Sequence, residues 1–467
     1  MQIEQIYTGC LAQGAYYLES NGEAAIIDPL RETLPYVRRA EQNGARIKYV
    51  FETHFHADFV SGHLDLAQKT GATIVYGPGA NTTYDVYHAH DGEEFRLGDV
   101  TIRVLHTPGH TPESTTYLLL DEAGRERAIF TGDTLFIGDV GRPDLALGGN
   151  LTERDLAGML YDSLHTKLMP LPDDVVVYPA HGAGSACGKN MSRETTDTLG
   201  NQKRFNYALR APSKEQFVEQ VLDGLTTAPV YFAQNARLNR EGYESIDKVL
   251  DRGSRALSPG EFEAAVNETG ALVLDVRDAA EFARGFVPNA VNIGLNGQFA
   301  PWVGALIPDL AQPIALVTPV GQEEEAVLRL ARVGYDHCVG HLAGGFAAWQ
   351  QAGYEVDQIE SVPAVTFAQR RLAHPNETVV DVRKPTEFAA EHVANAENVP
   401  LDTLNEHLAG IPHHEPVYVH CAGGYRSMVA CSILKARGFD NVVNVEGGLA
   451  AIRQTTVPVI ADVPAGH

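Results

Sequence analysis

Four short segments place imidazole and carboxylate side chains directly after apolar runs. Thr53-His54-Phe55-His56-Ala57-Asp58-Phe59 follows Tyr49-Val50-Phe51, and Thr107-Pro108-Gly109-His110-Thr111-Pro112 follows the run 101–105. Thr131-Gly132-Asp133 follows Ala128-Ile129-Phe130, and Tyr178-Pro179-Ala180-His181-Gly182 follows 175–177. Neutral imidazole and carboxylate are ligands for transition metals. Glycine beside His110, Asp133 and His181 lets the backbone turn tightly toward a shared centre. A single histidine of this kind fits an ordinary core or surface position as well as it fits a ligand. Four strand ends in succession, each presenting such a group, point to a metal centre.

A second chemistry is written into Cys421-Ala422-Gly423-Gly424-Tyr425-Arg426, which lies between the apolar run Val417-Tyr418-Val419-His420 and a helical run from Ser427 to Arg437. The backbone N–H groups of Ala422, Gly423, Gly424 and Tyr425, with the positive end of the helix, would stabilise a thiolate or a bound sulfur at Cys421. Arg426 adds a fixed charge. Cysteine phosphatases also close their loop with arginine. Only four residues separate Cys421 from Arg426, one fewer than such phosphatases use to cradle a phosphoryl group, and the tighter loop suits a single terminal sulfur atom, which favours sulfur transfer over the phosphatase alternative.

The elements that must carry these groups fall into three blocks, expected at 1–245, 250–357 and 363–467. In the first, apolar runs at 24–27, 49–51, 73–75, 101–105, 116–120, 128–130 and 175–178 read as strands. Several end in a His- or Asp-bearing loop, where an α/β architecture places its sites; a polar, helix-favouring tail follows from about 192 to 250. The second and third blocks are an internal repeat. Leu274-Asp275-Val276-Arg277 matches Val380-Asp381-Val382-Arg383, Val291-Asn292 matches Glu397-Asn398, and Gly344-Gly345-Phe346 matches Gly447-Gly448-Leu449. Each unit alternates short apolar strands with amphipathic helices, which predicts a small α/β domain on a parallel sheet. At the place of the Cys421 loop the middle block reads Thr318-Pro319-Val320-Gly321-Gln322-Glu323 and lacks both Cys and Arg. It is expected to space or dock its neighbours, with cysteine-independent binding as the alternative.

The first block resembles the metallo-β-lactamase superfamily, whose pattern runs H-x-H-x-D-H, then GH, GD and a final H. The pattern breaks at Phe59, where two-metal hydrolases of that fold carry a His for the second metal, and the loss points to a single metal. The similarity to persulfide dioxygenases, the mononuclear branch, implies His54, His110 and Asp133 as ligands. Such a 2-His-1-carboxylate set leaves open positions for substrate and O2 and favours Fe(II), one per chain. His56, Asp58 and His181 would then orient ligands or bound water, or alternatively hold a second, weaker metal. Gly138-Asp139-Val140-Gly141-Arg142-Pro143-Asp144 resembles that family's Gly-Arg-x-Asp stretch. Arg142 either holds an anionic part of a thiol carrier or pairs with Asp144. Cys187 either carries a persulfide toward the metal or is a packed thiol, and Cys10 has a weaker version of the same case. Cys338 and Cys431 read as core. The third block resembles rhodanese through the Cys421 loop and Asp381-Val382-Arg383 with Glu387-Phe388.

The resemblances together imply a multidomain α/β chain: a metallo-β-lactamase αββα sandwich followed by two rhodanese-like α/β domains with parallel sheets. They imply oxidation of a low-molecular-weight persulfide (of glutathione, coenzyme A or a similar thiol) by O2 to sulfite, coupled to sulfur transfer that yields thiosulfate. Two alternatives are a thioester hydrolase of the glyoxalase II kind, which would need two metals, and a sulfur carrier or sensor without dioxygenase activity. Across 467 residues the net charge of −24 argues against a nucleic-acid or anionic-membrane partner. No apolar run approaches the length of a membrane span, and no signal peptide is expected at the N-terminus. Five cysteines without close pairing favour a reducing cytoplasm over a disulfide scaffold. A homo-oligomer is expected.

Overall fold

A computed structural model describes residues 1–145, 151–225 and 227–461; the end of the third expected block, 462–467, lies outside them. The chain forms two compact units, Met1–Lys248 with Leu330–Tyr335, and Val249–Arg329 with Asp336–His467.

The first unit is built on two six-stranded sheets. One runs Gln2–Thr8, Gln13–Ser20, Glu23–Ile27, Arg46–Glu52, Thr73–Tyr76, Tyr87–His88; the other runs Asp197–Thr198, Val176–Pro179, Glu126–Gly132, Thr115–Leu120, Val100–His106, Glu94–Leu97. The inner strands, such as Glu23–Ile27 and Thr115–Leu120, are largely apolar on both faces because both are covered. Side chains alternate across a strand, so Leu18, Ile27 and Phe51 point between the sheets to meet Ile102, Tyr117 and Phe130. Their neighbours Tyr17, Ile26 and Val50 point outward to Tyr36 and Leu66 on the helices Leu34–Gln42 and His63–Thr70. On the other outer face, Leu118, Ile129 and Val177 pack against Leu160 and Phe217 of the helices Glu153–Ser163 and Lys214–Leu222. The result is an αββα sandwich. All seven apolar runs read from the sequence form strands, and the polar tail forms Leu199–Phe205, Lys214–Leu222, Phe232–Glu241 and Ile246–Gly253 as helices.

The second unit holds two five-stranded, wholly parallel sheets. Counting each sheet's strands in chain order, both run first, fifth, fourth, second, third. The sequence repeat is therefore a topological repeat, and its shared residues have one job. Arg277 grips Asp275, and Arg383 grips Asp381, through two guanidinium nitrogens each. The amides of Asn292 and Asn398 each donate to two carbonyls of that segment. The Asp-Val-Arg motif is thus a staple of the strand end. Ile314–Val317 and Val417–His420, the central strands, are buried along their length, as parallel strands covered on both faces must be. The loops that follow them occupy corresponding places at the sheet's C-terminal edge.

Candidate metal centre and sulfur loop

His54, His110 and Asp133 stand at the ends of three different strands, fully buried, with one ligand atom of each within 4.8 Å of the others. Their neighbours decide which nitrogens face inward. The Thr53 hydroxyl donates its only hydrogen to Asp28 Oδ2 at 2.8 Å, so it must accept from His54 Nδ1, 3.0 Å away. His110 Nδ1 lies 2.8 Å from the Arg142 carbonyl, which can only accept. Both imidazoles therefore carry their proton on Nδ1 and an unshared pair on Nε2. Those two Nε2 atoms face Asp133 Oδ2 at 3.9 Å and 3.4 Å, and neither Asp133 oxygen has a hydrogen-bond partner. Three electron-rich atoms buried together without a donor are costly; a cation among them removes the cost. Burial, reinforced by His56, His110 and His181, holds the His54 pKa well below its ordinary range, which keeps it available as a ligand. The residues present fit a bound metal.

The tight turns have a visible reason. A Cβ on Gly141 would lie 2.0 Å from Asp133 O and 2.9 Å from His110 Nδ1. One on Gly109, whose φ is +148°, would lie 2.4 Å from Leu160 Cα.

His56, Asp58 and His181 form a second group with ligand atoms within 4.8 Å of each other. His181 Nε2 lies 3.5 Å from Asp58 Oδ2 and 3.6 Å from Asp133 Oδ1. Burial, with the nearby Asp133 charge, pushes Asp58 up. His56 turns away toward Asp28 and Glu52, its Nε2 3.1 Å and 3.6 Å from their carboxylates. Burial works against a charge there, but those two acids outweigh it and hold the His56 pKa at about 9. Phe59 is completely buried, its ring 4.3 Å from that of His56.

Cys187 Sγ joins Asp133 and His181 in a third such group. Burial and the carboxylates of Asp58 and Asp133 raise its pKa far above the usual thiol value. Arg142 pairs with Asp144 through two nitrogens at 2.7 Å and 2.6 Å. Its own backbone N–H meets Cys187 O, and its carbonyl orients His110. Cys10 Sγ lies 3.6 Å from Arg332 Nη1 within the first unit. Cys338 and Cys431 are completely buried, and burial pushes Cys338 up to about 12. Reasoning from motifs missed Thr53, Asp28 and Glu52. Asp28 ends a strand, Glu23–Ile27, just as the motif residues do, and that placement was the available signal.

In the second unit, Cys421 is buried at the mouth of its loop. Gly424 N–H donates to Cys421 Sγ at 3.1 Å, and Ser427 Oγ lies 3.7 Å from the sulfur. The helix Tyr425–Ala436 begins there, two residues earlier than the apolar pattern predicts. Arg426 is bound to Glu387 through both terminal nitrogens, at 2.7 Å and 2.8 Å. Its charge therefore reaches the sulfur partly compensated. In the middle repeat Thr318 takes the cysteine's place, and Gly321 N–H donates to Glu323 Oε2 at 2.9 Å.

An αββα sandwich with a buried His/Asp centre at its strand ends, followed by paired parallel α/β domains, defines the class of protein. The model of the metallo-beta-lactamase superfamily matches residues 8–181, and that of the rhodanese-like domain matches 258–352 and 365–455. The chain is 35% identical over 161 residues to human "Persulfide dioxygenase ETHE1, mitochondrial", covering 34% of this chain and 59% of that protein's length. It is also 35% identical over 205 residues to "Probable hydroxyacylglutathione hydrolase glo2" of Schizosaccharomyces pombe, covering 39% of this chain and 75% of that one. Among solved structures, a metallo-beta-lactamase from Staphylococcus aureus subsp. aureus COL superposes with a TM-score of 0.64 at 29% identity, over 73% of this chain and 98% of that one. The chain belongs to the metallo-beta-lactamase superfamily and carries two rhodanese-like domains behind the metal-binding fold. Among the described residues, no helix is long and apolar enough to cross a membrane.

Proposed function

We propose that the first unit is a mononuclear Fe(II) persulfide dioxygenase and that Cys421 is a thiosulfate-forming sulfurtransferase. The domains on this reading are 1–245, 250–357 and 363–467. His54, His110 and Asp133 would hold one iron, which when bound supplies the redox chemistry for O2 to oxidise a terminal sulfur. A persulfide, one O2 and one water then give the free thiol and sulfite. Thr53 and the Arg142 carbonyl fix the imidazoles in the ligating tautomer. Asp58 and His181 stand beside the centre, where they would orient a ligand or bound water. Cys421 takes a sulfane sulfur from a second persulfide, releasing its thiol, and passes that sulfur to sulfite as thiosulfate. The Gly424 N–H donates to the sulfur throughout. The persulfide carrier would be glutathione, coenzyme A or a similar thiol. All five cysteines are unpaired, which suits a reducing cytoplasm.

Phe59 carries the one-metal reading: a buried phenyl ring stands where a second metal would need an imidazole. Similarity to the hydroxyacylglutathione hydrolase, together with the His56, Asp58 and His181 group, favours a second reading, a two-metal thioester hydrolase. The deciding experiment measures O2 uptake by the iron-loaded protein on adding glutathione persulfide, with wild type beside His110→Ala. Uptake that needs both persulfide and His110 is the expected result. No uptake at full iron loading, or two zinc ions per chain with thioester hydrolysis, would overturn the reading.

A further inference from the structure

Tyr425 sits inside the sulfur loop, between Gly424, whose N–H meets the sulfur, and Arg426. Its side chain reaches into the middle repeat. The hydroxyl donates to Gly294 O at 2.9 Å, and the ring lies against Gly297. A Cβ on Gly297 would stand 2.3 Å from Cε2 and 2.5 Å from Cζ of that ring. Neither Gly294 nor Gly297 has the left-handed backbone that would itself call for glycine, so room for the ring is what Gly297 supplies.

The repeat provides an internal control. Asn292 and Asn398 make the same pair of amide bonds. Ile293 and Val399, then Leu295 and Leu401, follow in matching backbone bonds. The third domain therefore carries Pro400 and Thr403 where the middle one carries Gly294 and Gly297. At the first position the fold accepts bulk; at the second the third domain has already turned into the short helix Leu401–Glu406, so what assigns Gly297 to the tyrosine's seat is the ring against it. That seat is braced. Arg329 Nη1 holds Leu295 O at 2.7 Å, and Asn292 N–H donates to Ser432 Oγ at 2.9 Å on the helix that follows the loop. The middle repeat's own loop has no cysteine, and Glu323 occupies its Gly321 amide.

We propose that the middle repeat, empty of sulfur chemistry itself, positions the sulfur loop of its neighbour. Gly294 and Gly297 seat Tyr425, and the seated ring holds the Gly424 N–H on Cys421. Tyr425, Gly294 and Gly297 are positioning residues. The inference rests on Cys421 as the sulfur-transfer nucleophile, but its geometry can be read without that activity.

The test uses the full chain. Alkylation of Cys421 by iodoacetamide is followed across pH by mass spectrometry of its peptide, for wild type, Gly297→Val and Tyr425→Phe. Thiosulfate:cyanide transfer is measured beside it. In that assay the Cys421 thiolate takes the sulfane sulfur and releases sulfite, and cyanide removes it as thiocyanate, regenerating the thiolate. With the seat blocked, the alkylation midpoint should rise by about one pH unit, since one amide donor to the thiolate is lost. Transfer should fall by about tenfold in kcat. Tyr425→Phe, which keeps the ring and loses only the bond to Gly294, should move both in the same direction by less. Tyr425→Ala added to Gly297→Val should cause little further loss, because both act through one contact. An unmoved alkylation profile in a folded Gly297→Val protein would overturn the proposal. If that variant does not fold, an unmoved profile in Tyr425→Phe would do so. A wild type with no transfer but a shifted profile in the variants would instead count against the sulfurtransferase reading alone.

Discussion

Thr53 has one hydroxyl hydrogen, and where it goes determines what His54 can do. Because Asp28 takes it, the imidazole must donate from Nδ1 and keep Nε2 free. Thr53→Val should therefore leave the Asp28 oxygen and the His54 N–H without their partner while barely changing volume. Loss of such an outer partner typically weakens metal binding by about 10- to 100-fold. Competition of the loaded protein against a chelator would measure it, and an unchanged affinity would mean that the tautomer is set elsewhere. This residue was not legible from motifs. Thr53 is chemically ordinary until Asp28, from another strand, is brought beside it, and Asp28 itself sits at a φ of +50° after Ile27. The grouping of His54, His110 and Asp133 was legible because their types and strand ends coincide, with glycine beside His110 and Asp133. Arg142 and Cys187 were visible only as alternatives, since nothing local says that Asp144 will take the guanidinium or that the thiol will be buried beside Asp133.

At the scale of elements, the loop bearing His110 is backed by the helix Glu153–Ser163. Leu160 presses on Gly109, and Ser163 Oγ donates to Pro108 O at 2.7 Å. That helix starts in a capping box, with Thr152 accepting from Asp155 N and Asp155 accepting from Thr152 N. Thr152→Ala should cost about 1 kcal/mol. For a unit of this size that corresponds to a fall in melting temperature of about 2–4 °C, readable by calorimetry. A melting temperature within error of wild type would show that the first turn is held by packing alone. The strands were easier to foresee than their boundaries. Val50 and Phe51 are both buried, on opposite faces, and such a run is apolar throughout. Gln2–Thr8 and Gln13–Ser20 escaped because one is a polar edge strand and the other opens on Gln-Gly. The repeat in the second unit was legible in full outline, since the Asp-Val-Arg staple and the paired glycines are structural necessities stated twice.

At the scale of the whole molecule, a chain of net charge −24 would, on the proposed reading, have to handle anionic sulfur species at sites that are locally different from its average. The Cys421 loop meets that need with a helix N-terminus and the Gly424 amide, a field that acts over the first turn and is indifferent to distant carboxylates. The group of His54, His110 and Asp133 would meet it with a bound cation. On the proposed reading these are separate chemistries with sulfite between them, and one chain supplies both in equal number, which raises the effective concentration of one site's product at the other. Cys421→Ser separates them: serine preserves the loop's size but cannot hold a sulfane sulfur. Iron content and O2 uptake with glutathione persulfide should stay at the wild-type level, while thiosulfate falls by about an order of magnitude or more and sulfite rises to match. Quantifying both anions in the same reaction checks the balance. Equal thiosulfate from both proteins would mean that sulfite meets its second sulfur without Cys421. The two domains would then be companions in one chain rather than steps of one reaction.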